Sequence, residues 1–195
     1  MLTFKQVGKT NTDVTLKLAI QTALEREMNL VVATTKGDTA LRAAELAKEM
    51  GFTGKLVAVS CAYGAKAVDE NSLSNEVRDR LHQQGVTVVT AAHALSGAER
   101  GISKAFGGVY PVEIMAATLR MFGQGVKVCV EIALMAADCG AIRAKQPVMV
   151  VSGTGTGADT ACVITPSYTA SLLETKINEI LCKPARRALA PTFFS

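Results

Sequence analysis

The chain has 195 residues, the length of one ordinary domain able to bury about 70% of its unfolded surface, so neither disulfides nor a structural metal is needed to fold it. Hydrophobic residues make up 49% and charged residues 19%, which excludes global disorder, and six Phe, three Tyr and no Trp argue against an aromatic platform for stacking bases. The 21 basic and 17 acidic residues leave a net charge of +4 with no long basic run, so nucleic acid is not an expected partner.

The elements follow in chain order. Asn11-Thr12-Asp13 offers capping side chains, and Val14, Leu16, Leu18, Ala19 and Ile20 then predict a helix ending near Met28-Asn29. Leu30–Ala33 reads as a short buried strand. Asp38 is expected to cap a second helix that Gly51 stops near Met50. Lys55–Ser60 is a second strand, Leu73–Gln84 a polar-faced helix and Val86–Thr90 a third strand. Pro111 suits the first position of a helix running to Phe122, and Gly123-Gln124-Gly125 separates it from an apolar helix ending near Gly140. In that helix Lys127 and Glu131 stand four apart, as a surface pair would.

Pro147–Val151 and Ala161–Thr165 are the fourth and fifth strands, and a helix is expected from Ser171 to Leu181. The segment 184–195, with Arg186 and Arg187, is expected to be an irregular tail. Alternating strands and helices imply right-handed crossovers, hence a three-layer αβα sandwich around a mostly parallel five-stranded sheet. Only Ser152–Thr160 joins the last two strands, too short for a parallel crossover, so the fifth strand is predicted antiparallel. The whole of 1–195 is read as one domain.

Cys61, Cys129, Cys139, Cys162 and Cys182 are odd in number, widely spaced and without a C-x-x-C pair; with only His82 and His93 no zinc spacing can be assembled. They read as reduced, mostly buried thiols of a cytoplasmic protein. Met1–Thr10 lacks an apolar core for a signal peptide, and Val126–Ile142 is too short and too charged to span a bilayer. No membrane is expected as a partner.

The residues that could carry chemistry lie where strands end. Thr34-Thr35-Lys36-Gly37-Asp38-Thr39 joins a strand to a helix, where free N–H groups and the positive end of the dipole suit phosphate. The spacing is not that of a Walker A loop, and a plain strand-to-helix turn is the alternative. Gly153-Thr154-Gly155-Thr156-Gly157 can form a backbone nest around an anion or simply a mobile hairpin, and Asp159-Thr160-Ala161 repeats the triplet at Asp38. His93 follows the third strand and is a possible acid or base, although no acidic partner is visible beside it. Ser60 and Tyr63, after the second strand, fall at the same edge. Cys61 lies there too and reads as buried, with reactivity the alternative.

These loops resemble the stand-alone bacterial and archaeal relatives of the pyruvate kinase C-terminal (α/β) domain. The resemblance is carried by Val31–Ala40, Thr90–Gly97, Phe106–Pro111, Arg120–Val128 and Gly153–Thr160, and covers roughly Thr12 to Pro184. In pyruvate kinase the loops matching Thr34–Thr39 and Gly153–Gly157 hold the phosphates of a sugar bisphosphate effector. Asp38 departs from that pattern, and the stand-alone family implies FMN as the ligand instead, with no metal. The resemblance does not imply kinase activity, because 195 residues leave no room for the catalytic barrel.

The expectation is therefore a binder of a phosphate-bearing small molecule, FMN first, through Thr34–Thr39, Ser60, Tyr63, His93, Gly153–Gly157 and Asp159. An enzyme using that flavin or a phosphorylated metabolite is the alternative, and a module without ligand the third. The apolar helix from Val126 to Gly140 predicts a homo-oligomer.

Overall fold

A computed structural model describes residues 1–65 and 67–185. Short apolar runs build its centre. β2 (Leu30–Ala33), β3 (Leu56–Ser60) and β5 (Val148–Ser152) are buried almost throughout, as strands covered on both faces must be. With β4 (Thr87–Thr90) they are parallel, and β6 (Thr160–Thr165) runs antiparallel to β5, as expected. Two further strands widen the sheet. β7 (Lys176–Pro184) pairs antiparallel with β6, and β1 (Leu2–Phe4) pairs parallel with β7. The order across the sheet is β1-β7-β6-β5-β2-β3-β4.

Among the described residues the sheet thus has seven strands rather than the five expected, and Ser171–Leu181 does not form the expected helix. Leu173, Ile177, Ile180 and Leu181 are spaced like one face of a helix, which misleads a local reading. The segment instead opens with a 3-10 turn over Thr169–Glu174 and then satisfies its backbone against β6. Pro184 closes β7 and the Ala185 N–H donates to the Phe4 carbonyl at 2.8 Å, so the first two residues of the expected irregular tail are held by the sheet; 186–195 lie outside the described residues.

The helices are α1 (Thr12–Glu25), α2 (Asp38–Glu49), α3 (Asn75–Gln83), α4 (Gly97–Phe106), α5 (Pro111–Met121) and α6 (Gln124–Asp138). Alternate strand residues face opposite layers. Leu30, Val32, Ala58 and Val151 pack with Leu16 and Ile20 of α1, Ala40 and Ala43 of α2, and Leu81 of α3. Val31, Val57 and Val150 face Ala116 of α5 and the apolar length of α6. α6 is buried at nearly every position because it lies across the middle of the sheet, which accounts for its composition without a second copy of the chain. Six of the exposed large apolar side chains fall on α4, α5 and the turns flanking α5: Ile102, Phe106, Val109, Ile114, Met121 and Phe122.

Candidate functional site at the carboxyl edge of the sheet

The chain builds β2, β3 and β4 outward in one direction, crosses to the second face, and returns through α6 as β5 on the other side of β2. The crevice between the ends of β2 and β5 is therefore the topological switch point, where ligands bind in open α/β sheets. Register pairs Val32 with Val151 and Ser60 with Thr90, so Thr34, Cys61, the His93 loop and Gly153 all leave the sheet at this edge.

Three helix N-termini come to the same place. α2 starts directly from β2, and Gly37, at φ 105°, occupies its N-cap position. Asp38 is thus the first helical residue rather than the cap, and the Gly37 N–H is held by Thr34 Oγ1 at 3.1 Å. Only glycine serves here: its φ is left-handed, and a Cβ would strike Val77 of α3. The start of α1 is tied to the glycine loop by the Ala158 N–H donating to Thr12 Oγ1 at 3.0 Å. The start of α6 is tied to the end of β5 by Ser152 Oγ donating to the Gly125 carbonyl at 2.6 Å.

The glycine loop is braced from beneath by Asp159. This carboxylate is fully buried and accepts from the Gly8 N–H at 2.8 Å, the Thr154 N–H at 3.1 Å and the Thr160 hydroxyl at 2.8 Å. It caps backbone donors, so its charge is spent inside the fold. Gly157 lies against Lys9 and Thr12, where a Cβ would come within 2.6 Å of Lys9 Cα. Gly155 and Thr156 are the exposed tip. Across the crevice Thr35, Lys36 and Asp38 are exposed, while Thr34 and Thr39 are buried. Ser60 is buried as well, with its hydroxyl 2.6 Å from that of Thr90, so it holds the strand ends together. Tyr63 stands exposed on the loop after β3.

Sequence reasoning missed a second cluster on this edge. His93 does have an acidic partner: its Nδ1 lies 3.5 Å from Glu131 Oε2, brought in by α6. The same oxygen takes a hydrogen bond from Lys127 Nζ at 2.6 Å, and Oε1 accepts from the Leu95 N–H at 3.1 Å. Lys127 and Glu131 are 4% and 3% exposed, so this is a buried pair and not the surface pair that the spacing suggested. Its signal was the isolation of two charges within the apolar stretch Val126–Ala137.

Cys61 and His93 follow the adjacent strands β3 and β4, and the Cys61 thiol lies 4.0 Å from Thr35 Oγ1. Hydrogen bonding to Cys61 and then to Glu131 holds the imidazole proton up to about 9, against burial. The bond from His93 lowers the Cys61 thiol below its ordinary value, again against burial, with Thr35 Oγ1 assisting from 4.0 Å. Burial pushes Glu131 up, but His93 and Lys127 outweigh it and leave the carboxyl below its usual range. Arg78 of α3 also reaches this edge, donating through Nη1 to Thr90 Oγ1 at 3.1 Å while its buried Nη2 has no partner among the described residues.

A mostly parallel sheet with helices on both faces and loops gathered at its switch point defines the open α/β class of domain. The chain belongs to the family described as pyruvate kinase, alpha/beta domain, whose model matches residues 13–164. The match runs from α1 to within one residue of the end of β6; β1 and β7 are additions outside it.

Proposed function

We propose that the chain binds a phosphate-bearing small molecule, FMN first, with the phosphate between the Thr34–Thr39 and Gly153–Gly157 loops. One observation carries the proposal: the N-termini of α1, α2 and α6 converge on the switch point. Free N–H groups and aligned dipoles there favour an anion, and Lys36 adds a full charge. Asp159 does not oppose it, because backbone donors already surround that carboxylate. The donor set therefore fits the phosphate of FMN, and the exposed ring of Tyr63 offers a surface for a flat heterocycle. A bound flavin would supply electron or hydride transfer; the residues here would bind and orient it. The His93–Glu131 contact favours, as a second reading, an enzyme using that ligand with His93 as acid or base. A cytoplasmic location and self-association complete the proposal.

The test is FMN titration by flavin fluorescence or calorimetry, since the chain has no Trp. Lys36→Ala and Gly155→Val should each weaken binding more than about tenfold, the loss expected on removing a charge-assisted bond worth about 1.5–3 kcal/mol or on distorting the nest. Gly155 has φ 82° and open space around it, so valine there strains the loop without striking the core. Unchanged affinity in both variants would refute the phosphate placement.

A further inference from the structure

Arg78, on α3, has no carboxylate partner among the described residues, whereas Arg26 and Arg42 each have one. A single neutral contact holds its guanidinium. Nη1 donates to Thr90 Oγ1 at 3.1 Å, and Ser60 Oγ lies 2.6 Å from that same oxygen. Nη2 is the one buried side-chain donor without a partner among the described residues. Buried donors are nearly always bonded, and leaving one unmet costs most on a charged group, so this nitrogen calls for an acceptor.

The fold joins Arg78 to the phosphate loop. Ala58 and Val88 face the layer of α1, α2 and α3, so Ser60 and Thr90, two residues on, face it as well. Val77, the residue before Arg78, is the side chain that a Cβ at Gly37 would strike, so α3 docks directly on the turn that opens α2. Arg78 and the Thr34–Thr39 loop therefore share one face and one edge of the sheet. Neighbouring strands lie about 4.8 Å apart, which puts the ends of β3 and β4 about 10 Å along that edge from the crevice between β2 and β5.

We propose that Arg78 binds a carboxylate of the ligand, which makes the ligand class a phosphorylated carboxylic acid with its acidic groups at opposite ends of a chain of about six carbons. This rests on the phosphate placement proposed above and extends the phosphate-bearing class past FMN, which has no carboxylate and can offer Arg78 only a carbonyl. One guanidinium matches the single charge of a carboxylate, and the two planar groups meet edge to edge. Arg78 is only part-buried, so a change in its outer torsions turns Nη2 to the crevice without moving α3. Ser60 and Thr90 are positioning residues: their hydroxyls bond each other and hold Nη1.

The test titrates the full chain by calorimetry with two probes of equal length, at one pH and ionic strength. 6-Phosphogluconate ends in a carboxylate, and sorbitol 6-phosphate ends in a hydroxymethyl group. The parent should bind the acid at least about tenfold tighter, as one charge-assisted hydrogen bond gives. Arg78→Met keeps the apolar stem and should bring the two affinities to within about twofold, with that for sorbitol 6-phosphate and the circular dichroism spectrum unchanged. Arg78→Lys keeps the charge without the planar fork; its preference should fall between those two, and it serves as the second variant where the methionine one does not fold. Equal affinities in the parent, a preference that survives in Arg78→Met, or variants that weaken both probes alike, as a purely structural arginine would, overturn the proposal. FMN binding without binding of either probe overturns it too and leaves the phosphate placement standing. A chain that binds none of the three ends both.

Discussion

Replacing Glu131 with Gln tests whether the charges within α6 are as deeply coupled as their geometry requires. Gln keeps the volume and can still accept from the Leu95 N–H, so the change isolates the charge. What remains is the Lys127 ammonium, 4% exposed, without the carboxylate that lies 2.6 Å away in the parent. Breaking a buried pair on one side costs about 3–5 kcal/mol, against a whole-domain stability of about 5–15 kcal/mol. At about 2–4 °C per kcal/mol for a chain of this size, the melting temperature should fall by about 6–20 °C.

The sign of the pH dependence gives a second readout. Burial already draws Lys127 below its ordinary value even though Glu131 holds it up. Without Glu131 the folded state binds fewer protons than the unfolded chain below the ordinary lysine range. The stability deficit of the variant should therefore shrink as pH rises from 7 toward 10. In the parent, Glu131 titrates below its unfolded value, so its contribution is present above that value and is lost as pH falls through the folded one. Urea unfolding followed by far-ultraviolet circular dichroism measures both. Adding Lys127→Met to Glu131→Gln removes the stranded charge and should bring stability back to within about 1–2 kcal/mol of the parent, since buried pairs replaced by apolar groups are often neutral. A loss below about 1 kcal/mol in Glu131→Gln, or a double variant no more stable than the single one, would refute the coupling.

Two further outcomes are expected. Asp159→Asn removes the charge that binds the Gly8 and Thr154 N–H groups, which should cost about 1.5–3 kcal/mol in urea unfolding and speed hydrogen exchange at Gly8. Self-association, placed on the apolar face of α4 and α5, should give a light-scattering mass above that of one chain at micromolar concentration; Phe106→Asp with Met121→Asp should return it to one chain, and a parent already monomeric would end the proposal.

The sheet's parallel centre was legible because its information is local. Leu30–Ala33, Leu56–Val59 and Pro147–Val151 are unbroken apolar runs set off by helical stretches, and the short connection before Ala161 leaves only one direction for the next strand. β7 was not legible, because its apolar residues satisfy a helical period as well as a strand's. What decides between them is a free edge on β6, supplied by residues far upstream. β1 is three residues long and exists only because β7 offers it an edge. Long-range pairing overrides propensity at both ends of the chain.

The loops of the site were legible for a related reason: they follow strands, and in a parallel sheet every strand end lies on one edge. Thr34–Thr39 and the Gly153 loop could be placed together from topology alone. The His93 cluster could not, because its partners come from different layers. Cys61 and His93 follow adjacent strands, whereas Glu131 belongs to the helix that covers the opposite side of the switch point. Two charges in an apolar helix are compatible with a solvated stripe until the sheet shows that the helix has none. Once α6 lies across the sheet, Lys127 and Glu131 must be paired, and the lone pairs left on Glu131 must find further donors. The Leu95 N–H and His93 are those donors. The helix that completes the switch point by its N-terminus therefore also supplies, about two turns later, the carboxylate that faces the His93 imidazole. Displacing His93 from Glu131 would leave a buried carboxylate with one fewer partner, which ties the loop after β4 to α6.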